Sequence, residues 1–326
     1  MSRLTPDPAA IARFGADLES ITGASPSPDR RLGVAVSGGA DSLALLLLAA
    51  FAWPGAVIAA TVDHGLRPDA AAEAGFVHAL CARIGVPHET LAPADNRAIE
   101  GNLQEQARAL RYALLSGWAL SAGAEWVATA HQQDDVAESF LMRARRGAGV
   151  GGLAAMLAAR PIVPGGRPLV RPLLGWRRAE LAAIVATAGI EPVADPSNAD
   201  PRFDRSRMRA LLADTDELPA DRLAMAATNL RHAEDALGWL ADREWAARSE
   251  IGDGAVWLDS AGLPHEVRRR LAVRAVGQLI GPWRGTGIDG LIAALDSGRP
   301  GTIAEVQARP IAGRWRFTPA PARRSH

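Results

Sequence analysis

Residues 37–42 read Ser37-Gly38-Gly39-Ala40-Asp41-Ser42, between the apolar run Leu32–Val36 and the helix-forming stretch Leu43–Phe51. Paired glycines let a backbone turn tightly with its N–H groups converging. The positive N-terminal end of a following helix adds to the attraction for an anion such as a phosphate. Ser37 and Ser42 bring hydroxyl donors. Asp41 would repel a bare phosphate, so a carboxylate in this loop makes sense as a magnesium ligand. A plain strand and turn leading into a helix capped by Ser and Asp is the competing reading. The full six-residue string at the end of a first strand is much more specific than a lone Gly-Gly.

A second group lies at residues 131–138. Asp134, Asp135 and Glu138 follow His131 by three, four and seven positions, which puts them on one helix face. Carboxylates placed this way can hold magnesium or bind the ammonium groups of a cationic substrate. The alternative is acidic residues drawn to a helix's first turn by its dipole, with Glu138 merely solvated. Arg108 and Arg111 share a face of another helix. They could neutralise phosphates or negative charge developing in a transition state, or one of them could pair with Glu105 on a neighbouring turn.

From Arg143 to Arg178 there are eight arginines and no acidic residue. Arg143, Arg145 and Arg146 precede the glycine-rich loop 147–152, and Arg171, Arg177 and Arg178 follow it. Arginine grips phosphate in a forked geometry and can stack on a splayed base. Each of these residues alone fits a solvated helix end, but the acid-free stretch as a whole predicts a basic face for RNA. Arg202, Arg205, Arg207 and Arg209 form a second cluster. Trp176 could stack on a base but fits packing better, His64 is balanced between nucleotide contact and an ordinary loop position, and Cys81 fits a buried small residue.

The elements that must hold these residues alternate. Strand-like runs at Arg31–Val36, Ala56–Val62 and Trp126–Ala130 are separated by helical patterns at Leu43–Phe51, Ala70–Ile84 and Leu103–Ser121, and a further helix covers Asp134–Arg145. This order predicts βαβ units in an α/β fold with a doubly wound, mostly parallel sheet. Ligands of such sheets bind at the carboxyl ends of the strands, where Ser37, Asp63 and His131 would sit. Beyond a helix at Arg178–Ala188 and a polar stretch, a boundary is expected near Ala213–Pro219, giving a catalytic domain 1–213 and a smaller, mainly helical domain 214–326. The latter carries helices at Ala220–Arg248 and Pro264–Ile280, with short strands in Thr302–Thr318.

Composition removes several chemistries. All 36 Lys+Arg positions are arginine, so a Walker A lysine and Schiff-base catalysis are excluded. A single cysteine excludes an internal disulfide, a cysteine zinc site or an iron–sulfur cluster built by one chain. The formal net charge of zero hides the local basic stretch. No apolar run approaches the roughly 20 residues of a membrane span, and Met1–Glu19 lacks a signal-peptide pattern. A cytoplasmic protein without membrane contact is expected.

The string at 37–42 resembles the PP-loop of the ATP pyrophosphatase family, whose members split ATP between the α- and β-phosphates, adenylate a carbonyl-type oxygen and let a nitrogen or sulfur nucleophile displace AMP. The resemblance implies an ATP site at Ser37, Gly38, Gly39, Ala40, Asp41 and Ser42, with Asp63, His64 and His131 beside it. Downstream, Asp63-His64-Gly65-Leu66-Arg67, Asn102–Arg108 with Arg111-Tyr112, and Ala130–Glu138 follow in order. Arg171-Pro172-Leu173-Leu174, Asp195-Pro196-Ser197-Asn198 and Arg205-Ser206-Arg207-Met208-Arg209 complete the set. Together these are similar to the tRNA(Ile)-lysidine synthetase family over roughly residues 32–213, and less closely to about Ile280.

That family adenylates the C2 carbonyl oxygen of the wobble cytidine in CAU-anticodon isoleucine tRNA, and free lysine then displaces AMP to give lysidine. The resemblance implies catalytic roles for Asp41, Asp134, Asp135, Arg111 and Arg205, with magnesium at Asp41 and Asp134. It implies substrate contacts from Glu138, Arg108, Arg143, Arg145, Arg146 and Arg171. The partners implied are the tRNA and free lysine, with a homodimer left open. Ser206 stands where the family has Asn, and the chain looks too short for the full C-terminal domains of longer members. A non-catalytic tRNA-binding protein and another PP-loop enzyme are the rival readings. Intact Asp41, Asp134 and Asp135 weigh against the first, and the single cysteine weighs against sulfur transfer.

Overall fold

In the computed structural model, which describes residues 4–63, 70–93, 103–193, 204–283 and 285–320 (backbone alone at 70 and 103–105), the run Arg31–Ala35 forms a central strand β1. It pairs in parallel with β2 (Val57–Val62) on one side and β4 (Ala124–Ala128) on the other, with Leu32 opposite both Val57 and Trp126. β3 (His88–Leu91) continues the parallel sheet beyond β2, and β6 (Pro168–Val170) continues it beyond β4. β5 (Ala159–Pro161) closes the edge antiparallel to β6, giving the order β3-β2-β1-β4-β6-β5. The chain therefore moves outward from β1 to β3 and returns to the other side of β1 at β4. That reversal opens the crevice in which doubly wound sheets bind ligands.

The crossovers are helical. α1 (Pro8–Thr22) precedes the sheet, α2 (Ala40–Ala52) joins β1 to β2, α3 (Ala70–Arg83) joins β2 to β3, and α4 (Leu103–Ser121) leads into β4. α5 (Gln133–Ala144), α6 (Val150–Leu153), α7 (Arg178–Thr187) and α8 (Asp204–Ala213) follow. α2 is apolar on all sides because all its sides are covered: it packs on α1, α7 and the sheet, and Leu43–Ala49 are wholly buried. A tightly packed helix of this kind fixes the preceding loop.

The compact units divide at Leu230/Arg231, inside α9 (Ala220–Arg248), whereas the sequence placed the boundary at 213/214. The second unit contains an antiparallel sheet of order β7-β8-β11-β10-β9. Its strands are β7 (Ser249–Gly252), β8 (Ala255–Leu258), β9 (Gly301–Ile303), β10 (Val306–Ile311) and β11 (Arg314–Pro319). Helices α10 (His265–Ile280) and α11 (Ile288–Asp296) contribute Leu271, Ala275, Ile288 and Ile292 to a core shared with Val306, Ala308, Trp315 and Phe317. Helices and short strands near Thr302–Thr318 match the sequence reading, while β7 and β8 add to the expected strands. No helix among the described residues is long and apolar enough to cross a membrane.

Gly33 in the middle of β1 marks the tightest contact between the sheet and α4. A Cβ there would lie 2.9 Å from Trp118 Cζ3 and 3.3 Å from the Ala124 Cβ. The indole fills the space that a side chain would need. Gly33→Ala is therefore expected to lower stability by about 1–3 kcal/mol through overpacking. A urea titration checks this, and an unchanged midpoint would show that Trp118 moves aside freely.

Candidate active site

β1 delivers the chain into the loop at its carboxyl end. Gly38 adopts φ +83°, a left-handed conformation that favours glycine. A Cβ at this position would also stand 3.0 Å from Val193 Cγ2, and the Gly38 carbonyl accepts a bond from Val193 N at 3.0 Å. Gly39 is the N-cap of α2, so no side chain occupies the helix's first N–H groups. The competing reading, a helix capped by Ser and Asp, is thereby corrected. Ser42 instead braces the loop from inside: its Oγ donates to the Gly39 carbonyl at 2.9 Å and accepts from Ser37 N at 3.1 Å. Ser37 Oγ lies 3.2 Å from the same hydroxyl.

Asp41 faces the crevice from the first turn of α2. Its Oδ1 is buried without a hydrogen-bond partner, and its Oδ2 stands 4.0 Å from Arg178 Nε. Burial raises its pKa to about 6 against the opposing pull of Arg178, with Asp135 adding to the rise. A buried carboxylate oxygen without a hydrogen-bond partner, beside an anion-binding loop, fits a divalent cation. Among the described residues no group of three or more His, Cys, Asp or Glu side chains could hold a metal ion. A cation here would complete its shell with phosphate oxygens and water, as magnesium usually does.

The acidic face lies across the crevice, at the start of α5. Gln132 caps the helix: its side chain accepts from Asp134 N at 2.5 Å, while its backbone N–H donates to Asp135 Oδ2 at 3.1 Å. Asp134 Oδ2 accepts from the backbone N–H of Arg178 at 2.9 Å. Burial pushes the Asp135 carboxyl upward, against the pull of Arg205. Glu138 is 0% exposed, which overturns its reading as a solvated residue. Arg178 Nη2 donates to Oε1 at 2.9 Å, Arg209 Nε donates to Oε1 at 3.0 Å, and Arg205 Nε lies 3.2 Å from Oε2. The contacts that Glu138 makes in this structure run to these arginines.

His131 closes the end of the β4 loop, with Nδ1 3.0 Å from Thr129 Oγ1. Burial, with Arg171, Arg108, Arg205 and Arg111 adding positive charge, depresses its pKa to about 3. The ring is therefore neutral at physiological pH and acts by hydrogen bonding, not by charge. Asp63 sits just past β2, its N–H donating to the Leu91 carbonyl at 2.8 Å. Arg111 is exposed on α4, and the Arg108 guanidinium lies 5.1 Å from the Tyr112 ring centre. His64, residues 65–67, Asn102 and residues 195–198 lie outside the described residues, as does Arg202.

The acid-free stretch does not act as one face. Arg143 Nη1 donates to the carbonyls of Gly152 and Ala154, at 2.9 and 3.1 Å. Arg171, expected to touch substrate, is 4% exposed and donates from Nη1 to the Leu157 carbonyl at 2.6 Å. It ties down a turn from inside the protein. Arg145 and Arg146 are exposed and share Asp204 with Arg207, at 3.0 Å from Arg145 and 2.8 Å from Arg146. Trp176 is buried, its Nε1 donating to Asp17 Oδ2 at 2.8 Å, so it packs. Sequence reasoning left Arg178 and Arg209 out of the site. Their presence in arginine clusters was visible, but the inward turn of Arg178 at the first position of α7 was not.

These features define an ATP-using PP-loop protein, and the PP-loop domain family matches residues 12–215. Two relatives cover nearly the whole chain. A tRNA(Ile)-lysidine synthase from Novosphingobium aromaticivorans is 42% identical over 97% of this chain and 95% of its own length. One from Zymomonas mobilis is 43% identical over 94% of each. The chain belongs to the tRNA(Ile)-lysidine synthase family of PP-loop enzymes. Among solved structures the fold resembles that of a U34-tRNA thiolase from Methanococcus maripaludis, with a TM-score of 0.55 and 16% identity, over 69% of this chain and 80% of that one.

Asp41 gives a prediction about stability in the metal-free protein. Its folded pKa of about 6 lies above the ordinary aspartate value of 3.8, so the folded state holds the proton longer. Stability then falls as pH rises between these values, and the cost is fully present above pH 6. Asp41→Asn should raise stability at pH 7.5, in chelator, by up to about 3 kcal/mol, and the gain should vanish near pH 4. Denaturant midpoints at the two pH values measure this. Equal stability of variant and wild type at pH 7.5 would show that the carboxylate is satisfied.

Proposed function

We propose that this chain joins free lysine to C2 of the wobble cytidine in CAU-anticodon isoleucine tRNA, at the expense of ATP, releasing AMP and pyrophosphate. The observation that carries it is the unbonded Oδ1 of Asp41 beside an anion-binding loop, opposite an arginine-organised acidic face, in a chain similar to a tRNA(Ile)-lysidine synthase over 97% of its length. In the first step the C2 carbonyl oxygen attacks the α-phosphorus of ATP. The bond to the β-phosphate breaks, and pyrophosphate leaves with the electron pair. The N–H groups at Gly38, Gly39 and Ala40 and the Ser37 hydroxyl hold the phosphates, with Ser42 bracing the loop from inside. Asp41 and Asp134 are the residues that would hold magnesium, which when bound draws charge away from the leaving group.

In the second step the lysine ε-amine attacks C2, the C2–O bond breaks, and AMP departs with the oxygen. The amine loses a proton, which Asp135 or Asp134 is placed to accept. Their local charge also favours a cationic amino acid. Neutral His131 suits hydrogen bonding to the nucleotide. Reaching C2 requires the wobble base to leave its stack, and Arg145 and Arg146 are exposed cations suited to the RNA backbone. Sulfur chemistry has no footing in this chain: the single cysteine, Cys81, is buried with its thiol pKa pushed up to about 12 by desolvation.

Mass spectrometry of the tRNA after incubation with ATP, magnesium and each candidate amine tests the reading. Lysine should add at the wobble cytidine alone. Arginine should fail because its guanidinium stays protonated. Ornithine, one methylene shorter, should react on the order of a hundredfold more slowly, since misplacement by about 1 Å costs that much. An ammonia adduct, sulfur exchange or lysine-independent AMP formation would overturn the assignment.

A second experiment addresses the RNA contact. Replacing Arg145 and Arg146 together by alanine should weaken tRNA binding and lower the slope of log affinity against log salt by roughly one unit per lost contact. ATP affinity should stay as it was. An unaltered slope would assign both residues to holding Asp204 alone.

A further inference from the structure

Arg178 touches more of the site than any other cation described above. Its backbone N–H binds Asp134, its Nη2 binds Glu138 at 2.9 Å and lies 3.8 Å from Asp135, and its Nε stands 4.0 Å from Asp41 in the loop. The loop itself, Ser37–Ser42, contains no cationic residue, and the chain has no lysine to supply one. Of Arg178, Arg205 and Arg209, only Arg178 comes within 4.0 Å of the loop carboxylate among the described residues. Its side chain is 30% exposed, so solvent and ligands reach part of it. Glu138, fully buried, fixes the other edge of the fork.

We propose that Arg178 is a catalytic residue that binds the β- and γ-phosphates of ATP at the PP-loop and stabilises pyrophosphate as it leaves. This rests on the adenylating reading given above. When the cytidine oxygen bonds to the α-phosphorus, the electron pair of the breaking P–O bond moves onto the pyrophosphate, and the guanidinium meets that added charge. No proton transfer is required, since arginine remains protonated throughout. Charge-assisted, forked bonds are the strong class of hydrogen bond, so their loss is measurable. Anchoring by Glu138 holds the guanidinium in place before ATP arrives, which lowers the entropy lost on binding.

The test separates the two halves of the nucleotide by using the products as inhibitors of tRNA-dependent turnover. In Arg178→Gln the inhibition constant of inorganic pyrophosphate should rise tenfold or more, a loss of about 1.4 kcal/mol or greater. That of AMP should stay within about twofold. A merely structural role would shift both together. Arg178→Lys should recover part of the pyrophosphate affinity, and guanidinium ion added to Arg178→Gln should recover part of the rate. Arg177→Ala, one residue away and paired with Asp221, should leave both constants unchanged.

Arg178→Lys keeps a cation for Glu138, so it is the fallback should Arg178→Gln not fold; it should show a smaller loss, again confined to pyrophosphate. Unchanged pyrophosphate inhibition in folded Arg178→Gln, with wild type still producing lysidine, would overturn the role of Arg178 alone. Selective loss of pyrophosphate affinity in a protein whose wild type forms no lysidine would instead overturn the tRNA reaction and leave Arg178 on the phosphates.

Discussion

The buried carboxylate of Glu138 is the point from which the crevice is organised. Removing an ion from water costs several kcal/mol, and only close, well-directed partners offset this. Here Arg178, Arg205 and Arg209 provide them, and they come from two different helices, α7 and α8. The pairing therefore does more than neutralise a charge: it pins the starts of those helices against α5. Truncating Glu138 would leave three like charges facing one another, so the carboxylate and its arginines act as one unit.

That arrangement sets the charge felt by the rest of the site. Glu138 takes the short contacts, while Asp135 and Asp41 are left with guanidiniums at 3.8–4.0 Å. With guanidiniums at these distances the ion pairs offset only part of the desolvation, which is why burial dominates the pKa of both. The neighbouring histidine is affected in the opposite sense, since burial and four arginines keep His131 uncharged.

The phosphate loop was legible because its information is local: two glycines, two hydroxyls and a helix start within six residues. The parallel sheet was legible for a similar reason, as its strands and crossovers have distinct periodicities. What failed was inference from charge along the chain. The acid-free arginines meet acids and carbonyls from elsewhere, such as Asp204 for Arg145 and Arg146, Asp221 for Arg177 and Glu138 for Arg178. A linear count sees none of these partners. The β7–β8 hairpin had a usable signal, Asp253-Gly254, whose positive φ values of 50° and 68° suit a tight turn. Each strand has only four residues, too few for a clear alternation of apolar and polar side chains. α1 was signalled by Asp7-Pro8, and Asp7 Oδ1 does accept from Ala9 N at 2.7 Å.

The absence of lysine has a chemical consequence whatever its origin. An adenylated base is an electrophile, and any unprotonated side-chain amine close to it would compete with the substrate for C2. The cations that crowd this crevice are arginines, which supply charge and forked hydrogen bonds yet stay protonated and poorly nucleophilic. They can therefore approach the reacting atoms closely without being consumed. In the proposed reaction the incoming lysine is then the one ε-amine at the site, and its selection reduces to two physical demands. It must carry a cation to the acidic face, and it must have the chain length to bring an amine to C2. In that reaction carboxylate charge would answer the first demand, and the geometry between α5 and the phosphate loop, braced by the Glu138 cluster, would answer the second.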